Sequence, residues 1–209
     1  MSNKTEIKPD HITLGSGELY YKEFTDGDPL PTPEEMCIDT NYFACIKGGA
    51  TLTYTPEFYT ATDDSGDHKK TCLTSEDVIL KTGIMVFNGN TLNVLSETGR
   101  VTEDANKKRR TLKVGGLKNA KGKKYIFCFY HRDKQDGDIW VFIVGNNQSG
   151  FEIAFALDSE TVIDAEIKAL PHDSDGTLIT YIEEDKKITA STPTTPENEV
   201  QNEVQNENA

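Results

Sequence analysis

The sequence lacks the features that mark several common classes of protein. Its 209 residues contain no run of about 18 apolar residues. The amino terminus, MSNKTEIKPD, has no apolar core of the kind that a secretory signal needs. We therefore expect a soluble protein that is not exported by a signal peptide and has no membrane partner. The length suits one domain of ordinary depth or two small ones, and we favour one.

Cysteine is scarce, and its spacing is uninformative. The four cysteines, Cys37, Cys45, Cys72 and Cys128, include no C-x-x-C pair. A chain of this length does not need disulfides to be stable, so we expect reduced, buried or half-buried side chains. A zinc site built from dispersed Cys and His is an alternative, but the local ligand spacing of such sites is absent.

Signatures of catalysis and phosphate binding are also missing. There is no GxxxxGK[ST], GxSxG or HExxH, and GSGELY has Tyr20 where a dinucleotide loop has its third glycine. His131 and Asp133 would share a strand face as a base and its orienting carboxylate do, yet a solvated polar cluster is the ordinary outcome there. The DSDG at 173–176 fits a tight turn, because Leu178 stands where a calcium loop requires glycine. We expect no enzymatic activity, no cofactor and no metal.

Charge is distributed unevenly along the chain. Residues 100–134 hold 12 Lys or Arg against 3 Asp or Glu, while the remainder holds 10 against 32, so the two parts carry +9 and -22. An acidic majority argues against tightly held duplex DNA. The most basic residues are Lys107, Lys108, Arg109 and Arg110. They are interpreted as a nucleic-acid patch, a solvated pair of glycine-punctuated loops, or an interface with an acidic loop of another copy.

Alternating side chains after residue 50 predict a strand of unusual length. Leu52, Tyr54 and Phe58 would share one face, whereas the other face would be polar. That polar face is formed by Thr51, Thr53, Thr55 and Glu57. The return strand is predicted at 74–87, so that an acidic loop with Asp63, Asp64 and Asp67 closes a tall hairpin. Pro56 weakens the pattern.

The rest of the chain also reads mainly as strands. Predicted strands are GELYYKEF at 17–24, KKYIFCFYHRDK and DIWVFIVG around Asp136-Gly137, FEIAFAL at 151–157, TVIDAEIKAL at 161–170 and TLITYIEE at 177–184. The unbroken apolar runs beside Asp136-Gly137 indicate strands that are buried on both faces. One short helix is expected, with Asn90 as its cap and Leu92 and Leu95 in the core. The composite is a mainly β fold, a β-sandwich or barrel-like domain with one flanking short α-helix and a long hairpin.

The two ends of the chain are expected to lie outside this domain. Residues 1–13 are polar and predict a mobile amino-terminal arm. Residues 188–209 hold a Pro/Thr segment and an acidic near-repeat. They predict a disordered carboxy-terminal tail, because so few apolar groups cannot offset the conformational entropy lost on ordering. The β-sandwich domain is accordingly placed at 14–187.

Aromatic residues around Trp140 support a different interpretation. Together they could form a sugar-stacking platform, although core packing is the commoner fate of aromatics in apolar strands. The other residues of this set are Tyr125, Phe127, Phe129, Tyr130 and Phe142. This alternative describes a carbohydrate- or surface-binding β-sandwich module.

The stretches IKGGATLTYTPEFYTATDDSG, ILKTGIMVFNGNTLNVL and KKYIFCFYHRDKQDGDIWVFIVGNNQSGFEIAFALDSETVIDAEIKALPHDSDGTLITYIEE are similar to a known family. They resemble the major tail, or tail tube, proteins of long-tailed bacteriophages that infect Gram-positive bacteria. The resemblance runs from about Leu14 to Glu184. It is carried by turns and strand junctions, in order 48–50, 88–90, 136–138, 147–151 and 175–178, so it concerns an architecture more than a site.

The resemblance implies a structural virion protein. In such tails, hexameric rings stack into a tube, and inner strands of the subunits join into one barrel around the channel through which DNA leaves the capsid. It also implies partners: further copies of the chain, and tail proteins such as the tape measure, tail terminator and distal tail proteins. DNA would pass through the lumen without specific binding. The protein would be made in the host bacterial cytoplasm and reside in the phage tail.

In such a ring, Thr51, Thr53, Thr55 and Glu57 are the candidate lumen or inter-subunit face, while Leu52, Tyr54 and Phe58 face the domain core. Asp63, Asp64 and Asp67 form a candidate inter-ring acidic loop that would meet the basic residues of another copy. The carbohydrate-binding alternative would then be a module of a tail or capsid decoration protein.

Overall fold

The structure, a computed structural model, describes residues 16–158 and 160–185. The predicted amino-terminal arm and carboxy-terminal tail lie outside these residues. The strands are β1 (Glu18–Phe24), β2 (Tyr42–Thr62), β3 (Lys69–Ile84), β4 (Arg100–Asp104), β5 (Arg109–Lys113), β6 (Lys124–His131), β7 (Ile139–Asn147), β8 (Ile163–Ala169) and β9 (Thr180–Glu183). The helices are α1 (Pro33–Met36) and α2 (Gly89–Val94), with 3-10 turns at Asp39–Asn41 and Leu117–Asn119. The predicted mainly β, barrel-like fold class is confirmed.

The main sheet is antiparallel and closes on itself. Its strand order is β6-β1-β2-β3-β8-β7-β9, and β6 also pairs with β7. β7 uses Ile139–Phe142 to pair with β9 and 145–147 to pair with β8. β6 and β7 meet at the predicted Asp136-Gly137 turn, where Gly137 has a φ of 115° that other residues rarely adopt. Strands β1, β2, β3, β8, β7 and β6 therefore form a barrel, and β9 lies beside it.

Two hydrophobic cores lie on the two faces of β6. Tyr125 and Phe127 belong to the first core. Leu80 of β3, Ile167 of β8 and Leu95, which directly follows α2, pack in the same core. Ile126 and Cys128 alternate with Tyr125 and Phe127 along β6 and belong to the second core. They pack there with Met36 of α1, Phe24 and Phe142. The prediction that β6 and β7 are buried on both faces is confirmed.

The helices differ in part from the prediction. α2 is capped by Asn88, not Asn90, because the Asn88 Oδ1 accepts the backbone N–H groups of Asn90 and Thr91 at 2.7 and 3.3 Å. α1 was not predicted. It begins in the Pro-rich stretch with a capping box, in which the Thr32 hydroxyl and the Glu35 carboxylate accept each other's backbone N–H.

The strand predicted at 151–157 is wrong, because the structure has no strand there. Phe151 and Ile153 still pack against the first core. A period-two pattern provides an apolar face, but it does not by itself supply the backbone partners of a ladder. β8 pairs with β7 only at 167–169, and 151–157 does not add a strand to the remaining edge of β8 at 163–166.

Lys121 holds α2 to the barrel. Its Nζ donates to the carbonyl oxygens of Asn93 and Ser96 at 2.5 and 2.8 Å, which lie at the carboxyl end of α2. Partial burial lowers the pKa of Lys121 from its ordinary value. The side chain thus satisfies carbonyl groups that the end of a helix leaves without an internal donor.

We predict that Lys121→Met destabilises the fold by about 1–3 kcal/mol, because the carbonyl groups lose their donor while the aliphatic stem is kept. Urea unfolding followed by circular dichroism measures the change. Lys118→Met, at an exposed lysine nearby, is the control and should change stability by less than about 0.5 kcal/mol. Equal stability of the two variants would contradict this role of Lys121.

Candidate functional site

The β2–β3 hairpin runs far beyond the barrel. β2 has 21 residues, and at about 3.3 Å per residue it spans roughly 70 Å. β1 pairs with β2 only up to Cys45, and β8 pairs with β3 only from Ile79 onward. In the part of the chain that the structure describes, the outer edges of the hairpin beyond these points have no ladder partner. The long hairpin is confirmed, with a return strand that begins five residues earlier than predicted.

One face of the hairpin is polar, as predicted. Alternation along β2 places the four candidate residues on one side, all exposed: Thr51, Thr53, Thr55 and Glu57. Their partners on β3 are Lys81, Ile79, Asp77 and Ser75. The Ser75 hydroxyl donates to the Glu57 carboxylate at 2.6 Å. The polar face continues onto β8, where Glu166 and Lys168 form ion pairs with Lys81 and Asp77.

The opposite face of the hairpin carries exposed apolar side chains, interrupted by Glu76, which accepts a hydrogen bond from the Tyr54 hydroxyl at 2.5 Å. The prediction that Leu52, Tyr54 and Phe58 point to the domain core is wrong. Their exposed fractions are 37%, 51% and 63%, and that of Leu73 opposite Phe58 is 47%. Only the base of the hairpin reaches the first core, through residues such as Val78 and Leu80 of β3. We call Leu52, Tyr54, Phe58 and Leu73 the hairpin's apolar face.

Pro56 does not interrupt β2. It lies opposite Glu76 in the ladder, directly before an irregularity in register at Glu57/Phe58. The outer edge of β2 is open at this point, which is the position in a sheet where a missing N–H is tolerated.

The tip of the hairpin contains the acidic loop, whose residues have different roles. Asp63 organises the turn: its carboxylate accepts the His68 backbone N–H at 2.8 Å and the Ser65 hydroxyl. These bonds, the Ser65 hydroxyl first, lower the pKa of Asp63 below its ordinary value. Asp64 and Asp67 are exposed. The residues available to meet a partner are therefore these two; with Asp63 they form what we call the acidic tip.

The basic segment folds as a hairpin, not as a pair of loops. Lys107 and Lys108 occupy the turn between β4 and β5, and Arg109 and Arg110 begin β5. Two acids of β4 neutralise part of this charge, since Asp104 lies 3.6 Å from Lys107 Nζ and Glu103 lies 2.8 Å from Arg110 Nε. Lys108 and Arg109 are exposed. We call β4, β5 and their turn the basic hairpin.

The acidic tip and the basic hairpin lie at opposite ends of β3. The tip precedes Lys69, the first residue of β3, whereas α2 follows Ile84, its last residue. The basic hairpin lies beside α2, where the Arg110 side chain is close enough to Gly89 that a Cβ there would meet its Cδ at 2.9 Å. The aspartates of the tip, which lie beside Lys69 and Lys70, are therefore at the opposite end of β3 from the lysines and arginines of the basic hairpin.

The aromatic set proposed for sugar stacking is mostly buried. Tyr125, Phe127 and Phe142 are exposed by 7% or less. Trp140 is stacked on Tyr130 with ring centroids 5.4 Å apart, and the Arg132 guanidinium lies 5.3 Å from the centroid of the Tyr130 ring. These rings stack on one another and on the core, so they do not present an open platform.

The residues considered for catalysis and metal binding serve local structure. His131 Nδ1 lies 2.8 Å from the Ser16 carbonyl oxygen. Asp133 accepts two backbone N–H groups of the turn that follows β6. Asp173 accepts the N–H groups of Asp175 and Thr177, as expected of a tight turn. The four cysteines are free thiols. Within 16–158 and 160–185, no three His, Cys, Asp or Glu side chains are grouped to hold a metal ion.

No protein-family model and no curated protein sequence matches this chain. Among the described residues, no helix has the length and apolar character needed to cross a membrane. The features of the molecule that point to a function are the β2–β3 hairpin, its acidic tip and the basic hairpin.

We predict that Asp63→Asn loosens the acidic tip. Backbone amide hydrogens at 65–68 should exchange about fivefold faster, because the carboxylate that holds the turn loses its charge. In the wild type the same loosening should appear as the pH falls through the lowered pKa of Asp63, since the ionised carboxylate accepts these hydrogen bonds more strongly than the neutral carboxyl group does. Exchange measured by mass spectrometry is the test. Asp64→Asn is the matched control, and equal exchange in both variants would reject the distinction.

Proposed function

We propose that this chain is a tail tube subunit, a non-enzymatic structural protein of a phage tail that polymerises as stacked rings around a channel for DNA. The observation that carries the proposal is the β2–β3 hairpin, which leaves the barrel with both outer edges unpaired and with its apolar face uncovered. Long open edges are a liability in a protein that functions as a monomer. Edges that pair around a closed ring remove the liability.

In the proposed ring, the polar face of the hairpin lines the channel. Its hydroxyl and carboxylate groups, from Thr51 to Glu57, keep the wall wet. The ion pairs of Lys81 with Glu166 and of Lys168 with Asp77 leave these four charges balanced. Such a wall offers phosphate groups no concentrated positive charge, so DNA would pass without specific binding.

Stacking of the rings follows from the charges at the two ends of the barrel. An acidic tip on one copy and a basic hairpin on the next make a head-to-tail contact, the heterologous geometry that generates filaments when it does not close. Opposite potentials also steer the two surfaces together. In this proposal, the segment from Lys107 to Arg110 is an interface with another copy and not a nucleic-acid patch.

The ring size, the partners and the location follow the family resemblance. We propose hexameric rings, contacts with a tape measure, a tail terminator and a distal tail protein, and residence in the virion after synthesis in the host cytoplasm. The carbohydrate-binding alternative loses its support, because its aromatic residues are packed against one another.

We predict that reversing charge on the basic hairpin weakens stacking. Lys108→Glu with Arg109→Glu avoids the two residues paired within the hairpin and should raise the concentration needed for tubules by at least about tenfold, because each ring loses many weak pairs at once. Negative-stain electron microscopy and sedimentation measure assembly. Raising the salt from 50 mM to about 500 mM should have a similar effect on the wild type.

Two further variants sharpen this test. Lys118→Glu, a reversal outside the basic hairpin, is the matched control. Asp64→Lys with Asp67→Lys should restore tubules when combined with the first variant. Unchanged assembly of the first variant would reject the electrostatic contact, whereas a wild-type protein that stays monomeric at every concentration and salt would reject the tube itself.

A further inference from the structure

A second apolar surface lies in the segment 151–157. Its apolar side chains alternate, and the first two, Phe151 and Ile153, pack against the first core. The next two continue the same alternation but are exposed to solvent: Phe155 is 87% and Leu157 is 102% exposed. The segment is thus attached at one end and presents two large apolar side chains to solvent at the other.

This segment lies at the α2 end of the barrel. It connects the end of β7 to the start of β8, and Ile163 at the start of β8 pairs with Ile84 at the end of β3. The hairpin's apolar face extends toward the opposite end, where Phe58 and Leu73 lie within a few residues of the acidic tip. The two apolar surfaces of one copy therefore point to opposite ends of that copy.

Charge of both signs lies beside each apolar surface. Lys69 and Lys70 follow the acidic tip on β3, and Glu152 and Asp158 lie beside Phe155 and Leu157. A head-to-tail contact can therefore pair the acidic tip with the basic hairpin, and the two lysines with the acids around 151–157, while it brings the apolar surfaces of two copies together.

We propose that Phe155 and Leu157 of one copy pack against the hairpin's apolar face of the next copy, beside Phe58 and Leu73. This inference rests on the proposed function and adds a specific contact to it. Burial of these side chains supplies affinity that salt does not screen. The neighbouring charges fix which end meets which, and their contribution declines as salt rises.

The first test is the variant Phe155→Ser with Leu157→Ser in the full chain. The concentration needed for tubules should rise by at least about tenfold, at both 50 mM and 500 mM salt, because two buried apolar side chains are lost. Leu117→Ser is the matched control, since Leu117 is 94% exposed elsewhere on the surface. Thermal unfolding of the unassembled protein should be the same for all three proteins. An equal effect of Leu117→Ser, or no effect of the double variant, would overturn the contact.

A crosslinking experiment tests the same contact without removing apolar surface. A photoreactive benzoylphenylalanine replaces Phe58, assembled material is irradiated, and the crosslinked peptides are identified by mass spectrometry. Crosslinks to 151–157 of another copy are expected. Tubules with crosslinks only to other peptides would reject this contact and leave the tube intact, whereas absence of any assembly by the unmodified protein would reject the tube and the contact together.

Discussion

Strands β2 and β3 are longer than the barrel that they help to close, and the remaining features of the molecule follow from that excess. At its base the hairpin is an ordinary pair of barrel strands, with Val78 and Leu80 in the core. Beyond the base it keeps the same two-faced pattern without anything to cover the apolar side. Burying a leucine or phenylalanine side chain is worth about 1.5–3 kcal/mol. The uncovered face therefore represents a sizeable free energy that association can recover.

The barrel gives the hairpin a rigid base and gives the molecule two different ends. Burial of β6 and β7 on both faces fixes the strands that hold β1 and β8, and these in turn hold β2 and β3. At the far end from the tip, Asn147 donates to the Leu95 carbonyl oxygen at 2.9 Å and ties α2 to β7. A subunit with unlike ends cannot use one patch twice, so repeated association of the proposed kind is directional.

The sequence alone predicts much of this fold, and the predictions that are wrong have physical causes. Apolar runs identified β6 and β7, and alternation identified which residues of β2 share a face. Alternation does not reveal whether a face is covered, which is why Leu52, Tyr54 and Phe58 were assigned to the core. The same limit explains 151–157, where a strand pattern exists without ladder partners. The capping box of Thr32 and Glu35 was a readable signal for α1, obscured by the prolines around it.

In the proposed assembly, charged and apolar contacts do different work at the same junction. Each exposed ion pair contributes little and is screened by salt. Wrong pairings nevertheless bring like charges together, and opposite charges orient the approach of two copies. Apolar packing has no such orientation, and on its own it would allow the hairpin faces of two copies to meet each other. An encounter of two hairpin faces leaves the basic hairpin without an acidic partner, whereas the head-to-tail contact pairs it with Asp64 and Asp67 of the next copy. The electrostatic asymmetry thus selects the head-to-tail arrangement, and apolar burial stabilises it once selected.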